Sequence, residues 1–182
     1  MFDPLGGRKY LNDNERRAYL KAIGAETDEA RKAFLETLFY TGCRISEGLN
    51  LLVGRVDIQA KAVVFETLKR RKRGIFRLVP VPEALATALG NLVYGKPPEA
   101  RIWEFSRPTA YRMIKAKMHA ASIVGGMAMP KGLRHGHGVA CASRNVPLPT
   151  IQRWMGHALL KTTAIYLDVR GEEERRFAER VW

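Results

Sequence analysis

The chain has 182 residues, 46% of them hydrophobic, and its 31 Lys and Arg against 18 Asp and Glu leave a net charge of +13. That supports one domain with a real core, and it asks for a polyanionic partner, with a basic scaffold protein as the bland alternative. No apolar run approaches the ~18 residues of a membrane span, and the first residues lack a signal-peptide layout. Cys43 and Cys141 form neither a CxxC nor a metal spacing, so a reduced, cytoplasmic setting is expected.

Residues 1–10 read as an N-terminal arm. Asn12 or Asn14 then caps a helix to about Ile23, with Ala18, Leu20 and Ile23 inward. Asp28 to Tyr40 is a second helix, because Ala33, Phe34, Thr37 and Leu38 recur at helical spacing. Thr41-Gly42 breaks it, Arg44 follows, and Ser46 to Leu52 reads as a short helix with Glu47 in its first turn. The period then changes. Val56–Ile58, Ala62–Thr67 and Ile75–Val81 read as three short strands. The last two are joined by Lys69-Arg70-Arg71-Lys72-Arg73-Gly74. Five cations in a row at a hairpin tip make a poor core and a good phosphate contact, and with Arg77 they form a candidate nucleic-acid surface rather than a merely solvated turn.

Pro82 to Val93 is a helix with Leu85, Ala88, Leu89 and Leu92 inward, and Tyr94 to Glu99 is a loop. Arg107 to Ala121 is a helix entered through Pro108 and studded with Arg112, Lys115 and Lys117; Arg112 and Lys115 join the DNA-contact candidates. Further helices are expected over Leu133–Arg144, Thr150–Met155, Leu159–Tyr166 and Glu172–Trp182. The last carries Phe177, Val181 and Trp182 with no later chain to cover them. The order implies a mostly α-helical α+β fold, with a small three-stranded antiparallel sheet at the edge of the helical body.

Arg44 and Arg134 suit a phosphate, because a guanidinium fork pairs bidentately with its oxygens. Tyr166 follows Gly156-His157 by nine residues. Beside such a clamp a tyrosine is a candidate nucleophile toward phosphorus, although its ordinary pKa near ~10 requires cations or a base to favour the phenolate. His135-Gly136-His137 has no cysteine or carboxylate neighbour in sequence, so no metal site is expected.

Thr41-Gly-Cys-Arg44-Ile-Ser-Glu47, Gly132-Leu-Arg134-His135, Gly156-His157 and Tyr166, in this order, resemble the catalytic domain of the tyrosine recombinases, the phage-integrase family. Each motif is weak alone, and the four together are specific. The resemblance covers the chain from about Leu11, implying a catalytic domain over residues 11–182 with no N-terminal core-binding domain before it. It also implies roles. Arg44 and Arg134 clamp the scissile phosphate and His157 hydrogen-bonds it. Tyr166 attacks to form a 3′-phosphotyrosyl link, and Lys69 protonates the leaving 5′-oxygen, with Lys72 as a rival. Glu47 and His135 support the pocket from behind. Lys131 stands where the family most often has histidine; it can donate to phosphate but is a poor general base while charged.

These readings lead to a site-specific recombinase or integrase acting on double-stranded DNA without cofactor or metal, as a homo-oligomer of up to four chains, off the membrane. A terminal segment donated to a neighbour is a family habit that the exposed Glu172–Trp182 stretch fits. The alternatives are a type IB topoisomerase-like enzyme relaxing DNA by the same chemistry, or a non-catalytic DNA-binding protein of this fold.

Overall fold

A computed structural model describes residues 1–4, 6–67, 74–168, 174–175, 178–179 and 181–182. The order of elements is α1 (Asp13–Gly24), α2 (Glu29–Thr41), α3 (Ile45–Leu49), a 3-10 turn Val53–Arg55, β1 (Val56–Asp57), β2 (Ala62–Glu66), β3 (Phe76–Pro80), α4 (Glu83–Val93), α5 (Arg107–Ala120), α6 (Pro130–Ser143), α7 (Leu148–Met155), α8 (Leu160–Ala164) and a 3-10 turn Ile165–Leu167. The mostly helical α+β architecture with one small antiparallel sheet is the one expected from the hydrophobic periods.

Local chemistry sets the boundaries. Asn12 caps α1 reciprocally with Glu15: its side chain accepts from the Glu15 N–H at 2.8 Å, and the Glu15 carboxylate accepts from the Asn12 N–H at 2.8 Å. Asp28 caps α2, which ends on Gly42 in the left-handed conformation (φ 59°). The inward face of α1 is Tyr19 and Ile23 rather than Ala18 and Leu20, which are only half-buried. α3 ends at Leu49, three residues short of the expected Leu52, because the chain turns there into the 3-10 segment and Leu52 bridges to Arg101. The expected Leu159–Tyr166 helix is divided: α8 stops at Ala164 and Tyr166 sits in a 3-10 turn.

The sheet has the order β1-β2-β3, antiparallel throughout, with Val63 opposite Val79 and Phe65 opposite Arg77. Val63, Phe65 and Val79 face the main core, while Phe76 and Leu78 are about half exposed on the other face. That core gathers Phe34, Leu35, Leu38, Leu85, Leu89, Ile114 and Leu133 from helices along the chain, with Trp103 from the segment before α5. Trp103 donates from its indole N–H to the Gly48 carbonyl at 2.9 Å and meets Phe34 edge-on at 5.2 Å, which fixes α3 against the helical body. A second cluster holds Tyr10, Val139, Ala142, Ile151, Met155 and Tyr166, with Met1 and Phe2 packed against it.

Among the described residues no helix is long and apolar enough to cross a membrane. The cationic run Lys69, Arg70, Arg71, Lys72 and Arg73 lies outside the described residues, as does Phe177. Val181 and Trp182 are 85% and 82% exposed.

Candidate active site

The site begins with a carboxylate. Glu47, in the first turn of α3, has no exposed side-chain surface and accepts from three directions. Its Oε2 accepts from the Arg44 backbone N–H at 2.8 Å and from Arg77 Nη2 at 2.7 Å, and its Oε1 accepts from Arg44 Nη1 at 2.7 Å. Arg134 Nη1 stands 4.0 Å from Oε2. A buried carboxylate is costly unless paired and hydrogen-bonded, and here three guanidinium groups surround it. Although burial acts on Glu47 in the opposite sense, the charges of Arg77 and Arg44 and the Arg44 N–H leave its pKa below the ordinary value.

Arg134 projects from α6 into the gap between two helix ends. It donates to the Gly42 carbonyl at 2.7 Å, at the end of α2, and to the Met155 carbonyl at 2.6 Å, at the end of α7. Helix C-terminal carbonyls carry partial negative charge and suit a cation. Burial, then Arg44, pulls its pKa from 12.5 to about 10, so it stays charged at neutral pH. Arg44, as the residue capping α3, keeps 24% of its side chain exposed. Two guanidinium groups are therefore held on one side by a shared carboxylate, one fixed and one open to solvent.

α7 stops at Gly156, whose φ of 63° allows the reversal. A Cβ there would also meet Arg77 Nη1 at 3.0 Å. His157 follows with its ring buried, Nδ1 2.9 Å from the Thr163 hydroxyl, and it stacks on Tyr166 at 5.9 Å between centroids. Tyr166 is fully buried, with no hydrogen-bond partner for its hydroxyl among the described residues. Burial pushes its pKa up to about 12 against the opposing pull of Arg134 and Arg44. It is a neutral phenol near two cations, enclosed in the second apolar cluster. Gly138 in α6 makes room for it: a Cβ there would lie 2.5 Å from the tyrosine ring. Gly138→Ala is expected to cost about 1–3 kcal/mol of stability through this overlap, measurable in denaturant melts.

Three histidines are desolvated here. Burial first, then neighbouring cations, lowers His135 to about 4, His137 to about 3 and His157 to about 4. Above about pH 6.5 all three are neutral in both folded and unfolded chains. Below it the unfolded chain takes up protons that the folded chain refuses until its own lower pKa values are reached, so stability falls with pH across that window. The melting temperature is expected to drop by roughly 10 °C or more between about pH 7 and 5. A thermal melt series checks this, since carboxylates titrate mostly lower. A flat profile would mean that the rings are hydrated.

The fold brings Arg44, Glu47, Arg134, His135, His157 and Tyr166 together; the His135 ring lies 5.9 Å from Tyr166. Lys131 sits exposed on the first turn of α6, one turn before Arg134. Arg112 and Lys115 are exposed on α5; Lys115 donates to the Ala128 carbonyl at 2.9 Å and Arg112 reaches Thr109. The N-terminus of α5 is tied to the site by Arg107, which donates to Ser46 at 2.9 Å.

Arg77, expected among the nucleic-acid contacts, is turned away from the surface instead. Its side chain is 3% exposed. Strand alternation explains why: Phe76, Leu78 and Pro80 point outward, which turns Arg77 inward with Val79. That alternation was present in Phe76-Arg-Leu-Val-Pro80 and could have signalled the burial. Thr163 and Gly138 carry no comparable sequence signal, because each matters only through its spatial partner.

The chain belongs to the Phage integrase family, whose pattern it matches over residues 9–173. Among its relatives is the tyrosine recombinase XerD of Mycobacterium leprae, 32% identical over 189 residues that cover 90% of this chain and 58% of that protein. The crystal structure of XerA recombinase superposes with a TM-score of 0.79 at 25% identity, covering 94% of this chain and 64% of that one. The XerH site-specific recombinase, solved bound to its difH substrate, matches with a TM-score of 0.74 over 88% of this chain and 50% of that one; at 17% identity the likeness is one of fold. The chain spans less than two thirds of the length of these relatives.

Proposed function

We propose that this chain is the catalytic domain of a site-specific DNA recombinase or integrase that breaks and rejoins strands through a 3′-phosphotyrosyl intermediate. One observation carries the reading: the guanidinium groups of Arg44 and Arg134 converge on Glu47, in one cluster with His157 stacked on the Tyr166 ring. Phosphodiester transfer gathers charge on the non-bridging oxygens, and preorganised guanidinium groups stabilise that charge more than the ground state. Tyr166 is the nucleophile and His157 a donor to the phosphate. The Tyr166 oxygen–phosphorus bond forms as the bond to the 5′-oxygen breaks, and the phenolic proton passes to a neutral histidine beside the ring, His157 or His135. The departing oxygen takes a proton from Lys69, or from its rival Lys72, and a 5′-hydroxyl of a second strand reverses the step. Bond energy is conserved in the phosphotyrosine, so the cycle consumes no nucleotide and calls for no metal.

Lys131 serves as a further phosphate donor, and Arg70, Arg71, Lys72, Arg73, Arg112 and Lys115 hold the duplex. The partner is double-stranded DNA, and exchange takes two sites and a homo-oligomer of up to four chains, in the cytoplasm. The relatives bear recombinase names, which favours exchange over topoisomerase-like relaxation.

The test is a pool of duplexes of randomised sequence, each nicked just 3′ of the position to be cut, so that the short leaving strand diffuses away and traps the adduct. A denaturation-resistant protein–DNA band, insensitive to EDTA, is the expected result, and sequencing the trapped strands gives the site. Intact DNA binding without any band would replace the reading by a non-catalytic DNA-binding one.

A further inference from the structure

Glu47 sits among three guanidinium groups, and only Arg44 and Arg134 are assigned a task on DNA. The third, Arg77, is buried and uses each nitrogen of its fork for a different element. Nε donates to the Trp154 carbonyl at 2.8 Å in the last turn of α7, Nη1 to the Thr67 hydroxyl at 3.0 Å beside β2, and Nη2 to Glu47 Oε2 at 2.7 Å. Its cationic carbon also lies over the Phe65 ring, 5.2 Å from the centroid. Its side chain is 3% exposed and every nitrogen of its fork donates within the protein, which leaves it no free donor to aim at a duplex phosphate.

Charge decides what it does. Glu47 contributes −1 and the three arginines +3, leaving +2 beside the place where a phosphate would lie. If Arg77 were absent, the same carboxylate would have only Arg44 at 2.7 Å and Arg134 at 4.0 Å as counter-charges. It would draw on both, and the field offered to a phosphate would fall to that of a single cation.

We propose that Arg77 is a positioning residue of the phosphate clamp: it supplies the counter-charge that engages Glu47, so that Arg44 and Arg134 keep their positive charge for the DNA. This rests on the recombinase reading above. The carboxylate orients Arg44 through its side chain and backbone N–H, while Arg77 offsets the negative charge that this orientation would otherwise bring into the clamp.

The experiment compares wild type, Arg77→Met, Arg77→Lys and the double variant Arg77→Met with Glu47→Gln, each checked by thermal melting. Adduct formation is timed on the nicked duplexes at saturating protein. Arg77→Met is expected to be slower by roughly tenfold or more, on the scale of losing part of one oxyanion donor. Arg77→Lys, which keeps the charge and loses the fork, should recover most of that rate. The double variant should also be faster than Arg77→Met alone, because the stranded carboxylate is gone. A merely structural arginine predicts the reverse: lysine as slow as methionine, and the double variant slower than either single change. Either result overturns the proposal. Should Arg77→Met fail to fold, Arg77→Gln against Arg77→Lys makes the same comparison.

A second readout needs no cleavage. The slope of log affinity against log salt for duplex binding should be shallower in Arg77→Met by about 0.9, one phosphate contact, and return in the double variant; an unchanged slope counts against the proposal. If wild type forms no adduct while these slopes behave as stated, the recombinase reading fails and the charge role of Arg77 stands.

Discussion

Tyr166→Phe is expected to abolish the denaturation-resistant adduct on nicked duplexes while leaving fold and DNA affinity nearly unchanged. The ring fills the pocket above Gly138 and stacks on His157, and phenylalanine keeps that packing. The hydroxyl has no hydrogen-bond partner among the described residues, so its removal orphans no described group and relieves a buried polar atom. This separates chemistry from architecture unusually well: most active-site substitutions disturb both, whereas this one removes only the attacking oxygen. The measurements are the adduct gel, a thermal melt and a binding titration. A persistent band would move the nucleophile to another tyrosine, such as Tyr40 or Tyr111. A large loss of stability would mean that the hydroxyl has a partner after all.

Arg134→Ala is expected to slow adduct formation by about 10²–10³-fold or more, the scale for removing a preorganised donor to a developing oxyanion. It should also destabilise the protein by a few kcal/mol, because the Gly42 and Met155 carbonyls lose their buried partner at roughly 1–3 kcal/mol per unsatisfied group. Arg44→Ala provides the contrast. Arg44 is more exposed and tethered by Glu47 rather than by helix ends, so its removal should slow adduct formation on the same scale at a smaller cost in stability. Single-turnover rates at saturating protein, read beside denaturant melts, distinguish the two. Equal stability losses would mean that the carbonyl contacts of Arg134 contribute little.

The helical periods and the turn residues made the architecture legible, because α2, α4 and α5 each present one apolar stripe to a common core. The clustering of Arg44, Glu47, Arg134 and His157 was legible for a different reason. Its residues lie in short recognisable runs, Arg44 to Glu47, Gly132 to His135 and Gly156-His157, whose order along the chain carries the resemblance although long-range contacts set the geometry. What escaped was set by distant partners. Arg77 reads as one more cation beside a basic hairpin until the strand's alternation turns it inward. Tyr166 reads as ending a helix, yet the helix stops two residues earlier and the ring is covered by residues from α6, α7 and the first ten of the chain. The end of α3 at Leu49 depends on Leu52 bridging to Arg101, which no window around residue 50 contains. The cationic run 69–73 lies outside the described residues, so its place on DNA remains a proposal.

The bonds that hold the clamp span long stretches of chain. Arg134 reaches Gly42 across 92 positions, Arg77 reaches Trp154 across 77 and Glu47 across 30. Closing loops of this length costs entropy that grows only slowly with length, but the contacts return nothing until closure is complete. A nascent or partly unfolded chain therefore holds arginines, histidine and tyrosine in the right order along its length without assembling the clamp. The assembled cluster arrives with the last long-range contacts and leaves with the first of them to break. On the proposed recombinase function, strand-breaking chemistry is thus confined to molecules that have finished folding.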